Sequence, residues 1–152
     1  KSTYCLSRGL KKPGRFTVID PFDASGDETS LPTYRKEKGG DDLEQVFRKN
    51  LRHEIMRHDF TIIRGNVFRY PAQSPLIDLL FIDGDHSFEG ISRDFNRLES
   101  HLRCGGLLLF HDCATYSLAT GPRRLQEKIL REGRYQTLSQ VDSLWIAKKI
   151  TT

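Results

Sequence analysis

Three short segments of this chain carry the residue types that chemistry needs. Asp83-Gly84-Asp85-His86 packs three titratable groups into four positions, and His111-Asp112 places an imidazole beside a carboxylate. Asp20, followed by Pro21, stands alone. Hard divalent cations prefer oxygen ligands, with water filling the remaining positions. Asp83 and Asp112 could each supply one if their segments are neighbours. His111 would add a nitrogen ligand, which suits softer metals better than magnesium. Asp85 or His86 could then accept a proton from a substrate hydroxyl. Each segment also has a plainer reading. Asp-Gly is a common turn, with His86 capping a helix that begins near Phe88, and Asp20 before Pro21 is a turn initiator.

The elements that must hold these residues follow from apolar periodicity. Thr3, Leu6 and Leu10 have helical spacing, stopped by Lys11-Lys12-Pro13-Gly14. Phe16 to Asp20 and Phe60 to Ile63 read as strands, the second halted at Gly65-Asn66. Between them, Asp23 to Asp42 reads as a long polar loop of the kind that forms lids. Leu43, Val46, Phe47, Leu51 and Ile55 mark one face of a single helix. Ile77 to Asp83 is a nearly continuous apolar run, expected of a strand covered on both faces. Phe88, Ile91, Phe95, Leu98 and Leu102 predict a helix ended by Gly105-Gly106, before a buried strand over Leu107 to Phe110. A helix from Pro122 to Arg131 precedes two strands, Tyr135 to Val141 and Ser143 to Lys148. Alternating strands and helices define an α/β class with a largely parallel sheet. Ligands of such sheets bind beyond the carboxyl ends of the strands. Asp20, Gly65-Asn66, Asp83 to His86 and His111-Asp112 all stand at strand ends, which predicts one functional edge.

Composition narrows the classes. The chain has 152 residues, 29% of them charged, and a net charge of +4. That is the length of one domain, with too small and too interspersed a basic excess for a nucleic-acid binder. The basic stretches Arg8 to Arg15 and Arg48 to Arg57 are expected to be solvated helix faces. His53, His58 and His101 are assigned to solvated faces too, and Trp145 to the core. No apolar run reaches the ~20 residues of a membrane span. The chain starts at Lys1 with no charged-then-apolar leader, so any signal peptide would lie upstream. Cys5, Cys104 and Cys113 form no C-x-x-C pair, so buried thiols in a reducing cytoplasm are expected.

The motifs in their order resemble a known family. Lys1-Ser2-Thr3, Asp20-Pro21, Phe47-x-x-Asn50, Ile82-Asp83-Gly84-Asp85-His86-Ser87, Gly105-Gly106 and His111-Asp112 are similar to those of class I S-adenosylmethionine-dependent methyltransferases. Within that class the set looks most like the bacterial small-molecule O-methyltransferases, the macrocin-type sugar enzymes among them. The resemblance implies a Rossmann-like sheet with helices on both faces, in one domain spanning residues 1–152. It implies S-adenosylmethionine as cofactor, with Ser2 and Thr3 near its methionine part, Asp20 on its ribose, and Asn66 and Val67 on its adenine. Asp83 counts both among the cofactor residues and, with His111 and Asp112, among the ligands of a divalent metal such as magnesium. Asp85 or His86 is then the general base. The partner is a small-molecule acceptor, without nucleic acid or membrane, and a homo-oligomer is compatible with it.

The chain departs from the family pattern twice. The glycine-rich loop and the strand before it, which in this fold lies between the strands ending in Asp20 and Asp83, are absent. The expectation is that further residues precede Lys1 in the natural protein. Metal-dependent relatives often carry Asp-Asp, Glu-Asp or Asp-Asn where this chain has His111-Asp112. Two alternatives stay open. One is a metal-dependent phosphoesterase, whose ligand types overlap these. The other is a non-catalytic binding module with a degenerate methyltransferase fold.

Overall fold

A computed structural model describes residues 1–24, 40, 42–116 and 120–151. These form two compact units, Lys1–Pro71 and Ala72–Thr152, each described by itself. The lid expected over Asp23 to Asp42 lies almost wholly outside the described residues.

In the first unit, α1 spans Ser2–Gly9, β1 Arg15–Asp20, α2 Leu43–Asn50, α3 Arg52–Arg57 and β2 Asp59–Arg64. β1 and β2 pair in parallel, with Asp20 opposite Arg64, so both strands end at the same edge. The single helix expected from Leu43 to Ile55 is two. Asp42 caps α2 through Oδ1, which accepts from the Glu44 N–H at 3.0 Å. The backbone then leaves helical geometry at Leu51, which is only 5% exposed. The break lets that side chain enter the core instead of continuing along the helix face.

His58 corrects an expectation. It is buried beside Phe16 and Phe60, and its Nδ1 accepts from the Gly14 N–H at 3.1 Å. The same burial takes in Glu54, which reaches Arg8 at 3.4 Å. Arg57 donates to the Leu10 carbonyl at 2.7 Å, so this part of the basic surface also ties the end of α1 to α3.

In the second unit, β3 spans Ile77–Ile82, α4 Phe88–Leu98, β4 Leu102–Phe110, α5 Thr120–Arg131, β5 Tyr135–Val141 and β6 Leu144–Lys149. The sheet order is β3-β4-β6-β5. β3 and β4 are parallel, whereas β6 runs antiparallel to both its neighbours, so this sheet is mixed rather than largely parallel. β1 and β3 belong to separate sheets, and neither pairs with the other.

Three local expectations change. Gly105-Gly106 does not end a helix. The helix ends at Leu98, a 3₁₀ turn follows over Glu99–His101, and both glycines lie inside β4. A Cβ on Gly106 would sit 2.9 Å from the Arg103 carbonyl and 3.2 Å from that of Asp78, so close backbone approach explains the residue there. β3 is not covered along its whole length, since Asp78 and Leu79 are exposed. His101, assigned to a solvated face, is buried in the 3₁₀ turn.

The core of this unit forms around Phe95, Phe110, Tyr135 and Trp145. Phe110 lies 5.4 Å from Trp145 and 5.9 Å from Phe95 between ring centroids. Trp145 is fully buried and satisfies its indole N–H on Thr137 Oγ1 at 3.0 Å. Burying each such side chain is worth roughly 1.5–3 kcal/mol. The parallel ladder of β3 and β4, which runs to Ile82 opposite Phe110, brings their carboxyl ends together. Of the three thiols only Cys113 is buried; Cys5 and Cys104 are exposed, against expectation.

Candidate active site

The ends of β3 and β4 bring together four of the residues singled out from the sequence: Asp83, His86, His111 and Asp112. The His111 N–H donates to the Ile82 carbonyl at 3.3 Å, extending the parallel ladder to the last residue before Asp83. Beyond it the two strand ends diverge into side chains. Asp83, His86 and Asp112 offer ligand atoms that all lie within 4.8 Å of one another. His86 Nε2 is 3.1 Å from Asp112 Oδ2. His111 Nδ1 is 3.0 Å from the same oxygen and 3.3 Å from Asp83 Oδ1. One carboxylate oxygen therefore serves two imidazoles.

The backbone at Asp112 is left-handed, with φ +58°. That region is costly for a residue with a Cβ, and Asp tolerates it better than most. It turns the Asp112 side chain back toward His86 and His111 as the chain leaves β4. Such strain is commonly held at functional sites.

Burial works against a charged His111. The closeness of Asp112 and the charges of Asp83, Asp112 and Asp142 outweigh it and hold the imidazole pKa above its ordinary value. His111 Nδ1 is itself buried and makes no well-directed hydrogen bond, although two carboxylates flank it. A nitrogen so placed fits a cation between the carboxylates. Two carboxylates with imidazoles are a mixed oxygen and nitrogen set, suited to manganese or zinc at least as well as to magnesium.

Asp85 is engaged elsewhere. Its Oδ1 accepts from the Ser87 N–H at 2.9 Å, and its carboxyl lies where a Cβ on Gly90 would fall, 2.2 Å away. Asp85 thus braces the start of α4, while Ser87 caps that helix by accepting from the Gly90 N–H at 2.9 Å. His86 therefore does not cap α4.

In the first unit, the parallel register brings Asp20 and Gly65-Asn66 to one edge, and the Gly65 N–H donates to the Asp20 carbonyl at 3.0 Å. Asp20 Oδ1 accepts from the Phe22 N–H at 2.6 Å. Phe22 has φ +53° and packs edge-on against Phe47 at 5.5 Å, so a strained, buried aromatic clamps the turn that holds the carboxylate. Partial desolvation raises the Asp20 pKa, against the lowering effect of that backbone hydrogen bond. Asn66 Oδ1 accepts from the Phe68 N–H at 3.2 Å, and Val67 is buried. Thr3 lines an open cleft of about 270 Å³ with Lys1, Tyr4, Phe47, Asn50 and Leu51. Ser2 lies in the first turn of α1 beside it.

Two positions that shape the second-unit site were missed from the sequence. A Cβ on Gly121, in the first turn of α5, would lie 2.2 Å from the His86 carbonyl and 2.6 Å from the Ser87 carbonyl carbon. α5 therefore seats directly on the backbone that carries His86. The Gly121-Pro122 pair at a helix start was the available signal. Ser143, whose hydroxyl is 3.3 Å from His111 Nε2, carried none.

Parallel strands ending in acidic residues, flanked by helices, define a Rossmann-like α/β fold with a strand-end site. A family described as a methyltransferase domain matches residues 1–113. The chain belongs to that methyltransferase family. Among curated proteins, an uncharacterized protein of Acanthamoeba polyphaga mimivirus is 29% identical over 108 residues, covering 70% of this chain. The chain spans only 44% of the length of that relative. The O-methyltransferase from Bacillus cereus, solved in complex with SAH, superposes with a TM-score of 0.59 at 18% identity, covering 97% of this chain and 69% of that one. TomG from Streptomyces achromogenes, an O-methyltransferase of tomaymycin synthesis solved with SAM, gives 0.57 at 13% identity, covering 99% and 68%. At such identities these structures establish the shared fold.

Proposed function

We propose that this chain forms one methyltransferase domain and transfers a methyl group from S-adenosylmethionine to a hydroxyl of a small molecule. The observation that carries the reading is the cluster of Asp83, His86 and Asp112 at the ends of two parallel strands, in a chain of the methyltransferase family. Support for the cofactor and the acceptor type comes from the SAH and SAM bound to the solved O-methyltransferases, and from TomG's place in the synthesis of a small molecule.

In the first unit, Asp20 is assigned to the ribose, Asn66 and Val67 to the adenine, and Ser2 and Thr3 to the methionine portion. Asp20 has one oxygen committed to the Phe22 N–H, which orients the other toward a ligand. In the second unit, Asp83 contributes to cofactor binding and, with Asp112, to the reacting end.

The reaction asks little covalent chemistry of the protein. A C–O bond forms to the methyl carbon, and the C–S bond breaks with its electron pair staying on sulfur. The hydroxyl proton leaves to a base, and alignment of donor and acceptor supplies much of the rate. His86 is the better candidate base than Asp85, whose carboxylate braces α4. With Asp112 beside Nε2, the neutral ring keeps its proton there and presents Nδ1 as the acceptor. Asp112 then stabilises the imidazolium that forms. Asp83, His111 and Asp112 would hold a divalent cation, which when bound would lower the pKa of the acceptor hydroxyl. Two exposed thiols and one buried thiol fit a reducing, cytoplasmic location.

Calorimetry with S-adenosylmethionine and its demethylated product, followed by transfer of labelled methyl to phenolic and sugar acceptors, tests this. Binding of both cofactor forms and acceptor-dependent transfer are expected. Phosphate release from a phosphomonoester without S-adenosylmethionine would replace the reading with the phosphoesterase, and absence of cofactor binding would replace it with the non-catalytic binding module.

A further inference from the structure

The tight turn between β5 and β6, with the end of β5, holds Cys113 beside the candidate site at two points and reaches His111 at a third. β4 and β6 stay paired through Phe110 and Trp145. Beyond that pair β4 leaves the ladder, and the turn takes over. The Cys113 N–H donates to the Ser143 carbonyl at 2.8 Å. Gln140 Nε2 donates to the Cys113 carbonyl at 3.4 Å. Ser143 Oγ lies 3.3 Å from His111 Nε2. The turn is itself strained, since Asp142 adopts φ +54° where two-residue hairpins favour glycine. A left-handed residue in the turn therefore faces a strand end that is also left-handed, at Asp112.

These contacts decide how the His111 ring is presented. An imidazole has two distinct nitrogens, and the partner of one sets the role of the other. With Nε2 on Ser143 Oγ, Nδ1 lies between the two carboxylates, 3.3 Å from Asp83 Oδ1 and 3.0 Å from Asp112 Oδ2. A ring flipped about its χ2 axis would lose the hydroxyl and put carbon where Nδ1 now meets the carboxylates. The serine hydroxyl can both accept and donate. It accepts from Nε2–H when Nδ1 is a free lone pair or when the ring is charged, and it donates to a bare Nε2 when the proton sits on Nδ1. The hold therefore persists in every protonation state of the ring.

We propose that Ser143 is a positioning residue of the site: its hydroxyl anchors Nε2 of His111 and so presents Nδ1 to the Asp83 and Asp112 carboxylates, ready for a divalent cation. The idea deepens the proposed function and rests on its placing of the reacting end at these residues. The role given to Ser143 requires no contact with cofactor or acceptor. It acts through His111, in the manner of the hydrogen-bonded partners that orient metal-ligating histidines.

The test compares wild type, Ser143→Ala and Ser143→Thr. Long-range ¹H–¹⁵N spectra of the histidine rings read the environment of each nitrogen of His111 directly, without metal or cofactor. Mn²⁺ binding by calorimetry, on the same proteins, reads the presentation of Nδ1. The expectation is that Ser143→Ala shifts or broadens the Nε2 resonance and weakens Mn²⁺ about 10–100-fold. Ser143→Thr, which keeps the hydroxyl, should restore both. A melting transition unchanged in Ser143→Ala would show that the effect is local. Ring spectra and Mn²⁺ affinity identical in wild type and Ser143→Ala would overturn the proposal. A wild type that binds neither Mn²⁺ nor S-adenosylmethionine would instead overturn the functional reading, and the ring spectra would still decide whether Ser143 holds His111.

Discussion

Oδ2 of Asp112 lies 3.1 Å from Nε2 of His86, linking the last residue of one strand-end segment to the first turn after another. The two residues are brought together by the parallel pairing of β3 and β4, and the left-handed backbone of Asp112 aims the carboxylate. The pair gives His86 what a general base needs, a fixed orientation and a counter-charge for its protonated state.

The first prediction concerns that pair. His86→Gln should lower kcat for methyl transfer by about 10²–10⁴-fold, the usual worth of a general base. Asp112→Asn keeps a side chain that tolerates the left-handed backbone but loses the charge, and should lower kcat in the same direction. Affinity for S-adenosylmethionine should change little in either variant. Steady-state kinetics with direct cofactor titration separate the two effects, and a selective loss of cofactor affinity would reassign both residues.

Asp20→Asn should separate binding from stability. The amide oxygen can still accept from the Phe22 N–H, so the turn survives. Desolvation raises the Asp20 pKa, so at neutral pH the charged carboxylate is a cost to the fold. The sign follows: any stabilising effect of this raised pKa is present below the ordinary aspartate value and is lost as pH rises through the raised one. The variant should melt at or above the wild-type temperature at neutral pH while binding S-adenosylmethionine more weakly. Thermal shift with and without cofactor measures both.

Gly121→Ala should damage the site from outside it. The new Cβ would meet the His86 carbonyl at 2.2 Å, and backbone rather than a flexible side chain must move. Overpacking of this kind costs about 1–3 kcal/mol. Denaturant unfolding should show that loss, and turnover should fall by more than the unfolded fraction accounts for, because His86 rides on the displaced segment.

Cys113 should differ from the other two thiols. Burial, with the nearby charge of Asp112, pushes its pKa from 9.0 up to about 12. A thiol held protonated is a poor nucleophile. In the native protein a thiol reagent near pH 8 should label Cys5 and Cys104 quickly and Cys113 only on unfolding. The raised value also ties stability to pH. Its contribution is complete below 9.0 and is lost as pH rises through about 12. Cys113→Ser should flatten that alkaline part of the stability curve, as followed by unfolding from pH 8 upward.

Much of the architecture was legible because it is written in local periodicity. The β-rich run ending at Asp20, the apolar run ending at Asp83 and the strand running into His111 are all strands, and Trp145 is core. A side-chain period of two or of 3.6 depends only on near neighbours. A charged residue directly after such a run must stand at a strand end. Where local pattern was ambiguous it misled. Gly105-Gly106 read as a helix stop, because the chain alone does not reveal that the Asp78 and Arg103 carbonyls press on that strand.

The sequence by itself thus determined which residues stand at the strand ends and what chemistry they are capable of. Tertiary structure decided which of them meet. It turned Asp85 onto the start of α4 and His86 onto Asp112, two neighbours with opposite fates. It buried His58 and His101, and it brought Ser143 to His111 across 32 residues of chain. Those outcomes depend on strand pairing, backbone hand and the direction of each side chain, which arise from contacts distant in sequence and leave no periodic trace in it.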